Sequence, residues 1–179
     1  GLANSIHQKG KHSMGLLLGP GSTRSSIHHN LFAHNNQRNP RIRGGLRDFV
    51  NNVVHNWGDY AAGLSDKPQV NFVGNYYKPG PSSRGGRPIV TGLGDMGSIY
   101  LKDNRVAGEK PFGWEQVQSD QMAVRAEGPF EVPKVTTLTA SRTYRKVLSD
   151  AGCSYPLRDE VDARVVGEVL RGTGRIIDS

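Results

Sequence analysis

The chain has 179 residues, with 23 Lys+Arg against 16 Asp+Glu, a formal net charge of +7 and a pI near 9.8. That length suits one domain with a core, and the positive balance predicts attraction to a polyanion such as nucleic acid, acidic polysaccharide or an anionic membrane surface. The single cysteine, Cys153, excludes an intrachain disulfide, and no apolar run is long enough to cross a bilayer. A lean apolar content of 35% beside 23 glycines favours a repetitive β architecture over a helical bundle.

The first predicted element is the short apolar run Gly15–Gly19, read as a strand. A repeat follows. The segments 27–32, 49–54, 72–77 and 101–106 each carry an asparagine: Asn30, Asn52, Asn75 and Asn104, spaced 22, 23 and 29 residues apart. Three places before each stands an apolar residue (Ile27, Phe49, Phe72, Leu101), and two places after it another (Phe32, Val54, Tyr77, Val106). This period is too long for a meander of hairpins and fits one coil of a solenoid. A short strand, a corner and a second short strand need a residue that tolerates the left-handed conformation, a position assigned here to the asparagine. Stacked coils then align equivalent asparagines as an amide ladder. The fold expected is all-β, a parallel β-helix.

Composition changes near residue 107. All eleven asparagines and all six histidines precede it. Residues 1–107 are therefore read as coils with an Asn ladder, and residues 108–179 as a connector and tail on the same β-helix domain. Within the tail, Tyr144, Val147, Leu148 and Ala151 keep helical spacing up to Gly152. Val161, Val165, Val166, Val169 and Leu170 repeat the pattern behind acidic residues. Both segments are expected as short helices packed on the solenoid.

Residues 37–45, "QRNPRIRGG", place three arginines around Pro40. In an extended segment Arg41 and Arg43 face one way and Ile42 the other. If Ile42 enters the coil, a stiff outer ledge of fork-shaped donors results, with Arg38 at its mouth and Gly44 and Gly45 permitting close approach. Such donors match carboxylate or phosphate. Solvated charge, or pairing with acids distant in sequence, explains the cluster equally well.

The stretches "KGKHSMGLLLG", "SIHHNLFAHNNQRNPRIRGG", "FVNNVVHNWG" and "VGNYYKPGP" resemble the pectate lyase and pectin lyase superfamily of right-handed parallel β-helices. The carrier is the R-x-P-x-x-R pattern formed by Arg38, Pro40 and Arg43. The tail 158–179 resembles the terminal region of bacterial pectate-lyase-like proteins. The resemblance implies β-elimination in polygalacturonate by a secreted, calcium-dependent enzyme, with Arg38 as the base and Arg43 binding a substrate carboxylate. A lysine that the family places before the first apolar strand is replaced by Met14, and Lys11 or Lys9 is the expected substitute. The family's calcium ligands lie earlier in the chain than Gly1, so no metal ligand is assigned to these 179 residues and the Ca2+ ligands are expected in an N-terminal portion. A coil stack open at its first coil exposes strand edges. The chain is accordingly expected to be the C-terminal portion of a longer or nicked lyase, lying against N-terminal coils as a second chain or a missing segment.

His28 and His29 have no acidic neighbour in the motif and are expected to be structural, stacking along a coil. Trp57, Trp114, Tyr76 and Tyr77 are expected in packing. Beside pectate lyase stand two alternatives: a pectin lyase acting on methylated polymer, and a weakened or non-catalytic uronan-binding protein on the same scaffold. No element for reading nucleic-acid bases emerges, and neither nucleic acid nor membrane is an expected partner.

Overall fold

Asn30, Asn52, Asn75 and Asn104 form one hydrogen-bonded file. The Asn52 side-chain oxygen accepts from the backbone N–H and the amide of Asn30, both at 3.0 Å. Asn75 and Asn104 repeat the arrangement on the next coils, with backbone donors at 2.9 Å. The computed structural model describes residues 7–8, 10, 12–85, 88–108, 112–118 and 123–177.

The ladder fixes the register of everything around it. Each coil contributes one strand to each of three parallel sheets. The first sheet contains β1 (Leu17–Leu18), β4 (Arg41–Arg43), β7 (Ala62–Ser65) and β10 (Val90–Gly92). The second contains β2 (Arg24–His28), β5 (Leu46–Val50), β8 (Gln69–Val73), β11 (Ser98–Lys102) and β13 (Val124–Arg125). The third contains β3 (Leu31–Ala33), β6 (Val53–His55), β9 (Tyr76–Lys78) and β12 (Arg105–Val106). Parallel strands joined by right-handed crossovers and closed into successive coils make a right-handed parallel β-helix. Ile27, Phe49, Phe72 and Leu101 occupy equivalent positions, as do Phe32, Val54, Tyr77 and Val106. They stack as two internal files, with the rings of Phe49 and Phe72 5.6 Å apart.

The corner differs from expectation by one residue. The left-handed positions are His29, Asn51, Gly74 and Asp103, each immediately before a ladder asparagine. The ladder asparagine is selected for its amide, which satisfies backbone groups of its own and the neighbouring coil; the preceding residue makes the bend.

Arg47 is fully buried. It shares the inner face of β5 with Phe49, and its guanidinium meets the turn of the previous coil. It donates to the carbonyls of Gly44, Gly19 and Ser22 and to the hydroxyls of Ser22 and Ser25. Neutral acceptors surround it, and burial pulls its pKa down.

The tail covers two of the three outer faces. Residues 129–139 cross the second sheet as a strap pinned at both ends. Asn71 exchanges two hydrogen bonds with the backbone of Phe130 and Asn51 does the same with Leu138. Beneath it lies a cavity of about 790 Å³ lined in part by Asp48, Asn71, Tyr100 and Lys102. Helices α1 (Ala140–Asp150) and α2 (Glu160–Arg171) pack on the third sheet, where Val147, Leu148, Val166 and Val169 meet Val53. Lys78 donates to the terminal carbonyls of Val169 and Leu170 at 2.7 and 3.0 Å, a cation at the negative end of α2. Val161 and Leu170 point outward, so the apolar stripe is narrower than the sequence spacing suggested. Strap and helices are thus committed to the second and third sheets. The first sheet keeps its outer face, and the arginine turn lies on it.

Candidate functional site

Ile42 is fully buried between Leu18 and Leu64, its neighbours in register, and this sends Arg41 and Arg43 outward as alternation requires. Arg38 precedes the strand in the left-handed conformation, φ 62°. Both neighbouring coils pin it: its carbonyl accepts from Leu16 N–H at 2.7 Å, while Asn39 N–H donates to Ala61 O at 2.6 Å. Gly15 runs so close that a Cβ there would lie 2.6 Å from the Arg38 carbonyl. Only glycine fits such an approach. The Asn39–Pro40 peptide is cis, and Asn39 is buried against Asn35 through a 3.0 Å amide hydrogen bond.

The three arginines differ in pairing. Arg43 Nε donates to Asp66 Oδ2 at 2.7 Å, with both side chains nearly half exposed. The guanidinium holds the Asp66 carboxyl below the usual aspartate range. Here the reading of arginine paired with an acid distant in sequence is correct. By contrast, the Nε groups of Arg38 and Arg41 are buried without a hydrogen-bond partner among the described residues. Tyr77 Oη in the core and Arg158 Nε in the tail are likewise without a hydrogen-bond partner among the described residues.

Tyr60 connects the cluster and was not singled out in the sequence. Burial pushes its phenol up, while the Arg38 and Arg41 charges pull the other way. Arg41 also acts on Asp66, so one field spans the face from Tyr60 to Asp66. The Tyr60 ring rests on Gly63, the strand neighbour of Arg41; a Cβ at Gly63 would lie 3.0 Å from Tyr60 Cε2. The coil period could have found both residues, since Tyr60 is 22 residues after Arg38 and Asp66 is 23 after Arg43.

Met14 forms a parallel bridge with Gln37, immediately before Arg38, so the replaced lysine position does border the turn. Lys11 and Lys9 lie outside the described residues. His28 and His29 face each other through their Nδ1 atoms at 3.1 Å on the surface. His34 and His55 stack edge to face at 5.3 Å between coil and tail. His34 pairs with Glu168 at 3.0 Å, and His55 Nε2 faces Thr173 O at 3.1 Å. His28 and His29 thus touch each other at the surface, whereas His34 and His55 join the coils to the tail. Trp57 and Tyr77 are in the core, Trp114 packs against it, and Tyr76 stacks on Tyr144 of α1 at 4.5 Å.

Calcium does not fit the residues present. No group of three or more His, Cys, Asp or Glu able to hold a metal ion occurs among the described residues. The two aspartates flanking the arginines are already committed, Asp66 to Arg43 and Asp59 to Arg84. No helix among the described residues is long and apolar enough to cross a membrane.

The coil geometry defines a right-handed parallel β-helix with the arginine turn facing outward from its first sheet. No protein-family model matches the chain. Among curated proteins it is similar to probable pectate lyase C of Neosartorya fischeri, 32% identical over 158 residues, covering 80% of this chain and 36% of the relative. The same-named protein of Aspergillus flavus is 32% identical over 156 residues, and that of Aspergillus oryzae 41% over 156, with the same two coverages. The chain therefore spans about a third of the length of these relatives. Fold and sequence together place it in relationship with the pectate lyase superfamily.

Proposed function

We propose that this chain carries the elimination site of an extracellular pectate lyase that cleaves (1→4)-linked galacturonan. The observation that supports the reading best is the arginine turn itself: with Ile42 buried, Arg41 and Arg43 leave the first sheet outward, next to Arg38. Arg43 is held there by a displaceable aspartate.

In this reading a uronate carboxylate docks on Arg43, exchanging the Asp66 carboxylate for its own. Neutralising the substrate carboxylate acidifies the proton on the adjacent carbon. Arg38 takes that proton, the released electron pair forms a carbon–carbon double bond, and the neighbouring glycosidic C–O bond breaks. The departing oxygen takes a proton from solvent. An arginine is an awkward base because its guanidinium is almost always protonated.

The test is incubation of the protein with polygalacturonate, reading the ultraviolet absorbance of unsaturated product. Arg38→Lys should nearly abolish turnover while leaving the fold intact; an unimpaired variant removes the assignment. Met14 beside Gln37 supports a second reading, a uronan-binding protein with weakened catalysis. Retention on immobilised pectate without product favours it. Product formed equally under chelation, and faster on methylated polymer, favours pectin lyase.

A further inference from the structure

Residues 37 and 38 leave the backbone ladder on one side only. Toward the preceding coil the ladder is continuous: Asn36 N–H donates to Ser13 O at 2.9 Å, and the Gln37 and Arg38 carbonyls accept from Gly15 and Leu16 at 3.1 and 2.7 Å. Toward the following coil, the Asn36 carbonyl accepts from Gly58 and Asp59 N–H at 3.0 and 3.1 Å. The next backbone bond there runs from Asn39 N–H to Ala61 O at 2.6 Å, and among the described residues none joins Gln37 or Arg38 to that coil. Arg38 sits at this gap with φ 62°. A residue with a side chain keeps that left-handed conformation only where its surroundings fix it.

Side chains close the gap. Gln37 Nε2 and Asn36 Nδ2 both donate to Asp59 Oδ2, at 3.0 and 3.2 Å. Tyr60 Oη donates to Gln37 Oε1 at 2.9 Å, so the Gln37 amide is held at both ends. Asp59 Oδ1 takes Arg84 Nη1 at 2.8 Å, and Arg84 N–H donates to Gly58 O at 3.2 Å. Gly58 permits the close approach, since a Cβ there would run into Asn36 Oδ1. One carboxylate thus ties together the turns that lead into β4, β7 and β10. We propose that Asp59 is a positioning residue for the arginine turn: it replaces the backbone bonds that the following coil does not supply, and so fixes where Arg38 stands. The proposal rests on the elimination reading above and deepens it. Of the two carboxylate oxygens, Oδ2 carries the task. The Arg84 side chain is 64% exposed, so its ion pair is screened by solvent and adds little.

One test needs no turnover. The Leu16 and Asn39 amides, bonded to Arg38 O and Ala61 O, flank Arg38 on its two sides and report its order through hydrogen exchange, read by NMR on the full chain. In Asp59→Ala both should exchange roughly tenfold faster as the turn opens locally, while the Ile42 amide in β4 keeps its rate. Unchanged exchange at Leu16 and Asn39 overturns the proposal.

The kinetic arm reads the consequence on polygalacturonate. Misplacing a reacting group costs roughly ten- to a hundredfold in rate, so kcat of Asp59→Ala should fall by about that much. KM should stay within about twofold, because Arg43 is untouched, and binding and positioning then separate. Asp59→Asn keeps an acceptor for Gln37 and loses the charge; it should recover kcat to within about threefold of the parent, and Arg84→Gln should lie in the same range. Gln37→Leu removes the other end of the bond, so Gln37→Leu/Asp59→Ala should lose far less than the product of the two single factors. An Asp59 that merely stabilised the fold would lower the melting temperature and leave kcat per folded molecule unchanged, which overturns the proposal while the elimination reading stands. Asp59→Asn as slow as Asp59→Ala places the effect in the charge and overturns it as well. Absence of product from the unaltered chain refutes the elimination reading, and the exchange rates alone then decide whether Asp59 holds the turn.

Discussion

The amide ladder makes a quantitative claim about where the fold is held. Asn75 is fully buried. Its side-chain oxygen accepts from the backbone N–H of Asn52 at 2.9 Å, and its amide donates to Phe49 O at 2.8 Å and to Asn104 Oδ1 at 2.9 Å. Truncation in Asn75→Ala strands two backbone groups, the Asn52 N–H and the Phe49 carbonyl, in a site closed to water. An unsatisfied buried group costs about 1–3 kcal/mol, so the variant should lose about 2–6 kcal/mol. That is a large share of the roughly 5–15 kcal/mol by which a domain is stable. Asn30 is chemically identical but sits on the first described coil. Its amide donates to the solvent-accessible His28 carbonyl, and its removal leaves Asn52 Oδ1 still bonded to Asn30 N–H. Asn30→Ala should therefore cost less than about 1 kcal/mol, the net value of an exchanged hydrogen bond. Denaturant unfolding of the two variants beside the parent, at unchanged m-value, measures the difference. Equal losses would refute the view that the cost arises from stranded backbone groups and would leave only a general penalty for replacing asparagine.

Three further outcomes follow from the site and its supports. Asp66→Asn removes the internal competitor for Arg43 and should lower KM for polygalacturonate severalfold with little change in kcat, measured by initial rates. The same substitution should flatten the acid limb of stability, because a carboxyl held below its ordinary 3.8 contributes above that value and ceases as pH falls through the lowered one. His29, His34 and His55 are all held below 6.5, chiefly by burial. The unfolded chain therefore binds protons first, and melting temperature should fall as pH drops below 6.5 until the folded values are reached. Around His34 and His55 the facing charges are Glu168, Arg164 and Lys78, and His34→Gln/His55→Gln should reduce that slope. Gly15→Ala would press a methyl into the Arg38 carbonyl and Asn39 Oδ1. Its turnover should fall by a larger factor than its loss of stability explains, as judged by kinetics beside thermal melting.

Much of the coil stack was legible because its signal is periodic. Asparagines 22 to 29 residues apart, flanked at constant offsets by apolar residues, specify register directly, and every pairing in the two inner files follows it. The corner was displaced by one residue because four residue types fill it, namely His, Asn, Gly and Asp. No letter marks it. The helices were legible from their spacing, yet Val161 and Leu170 fell outside the buried stripe, which on the second helix holds Val166 and Val169. Arg47 was illegible in a different way. Its burial depends on carbonyls of the turn near residues 19–22, which become neighbours only after the coils have stacked.

The same stacking explains why the motif alone described the site incompletely. In a solenoid a side chain's nearest neighbours are one period away, so an arginine's environment is written on the next coil and not beside it in the sequence. Applying the period to the arginine turn joins Arg43 to Asp66 and Gln37 to Tyr60, which are the contacts observed. The two contacts do different things: Asp66 occupies the guanidinium that a uronate carboxylate would take, while Tyr60 and Asp59 fasten Gln37, and with it the mouth of the turn, to the next coil without engaging any arginine of the motif.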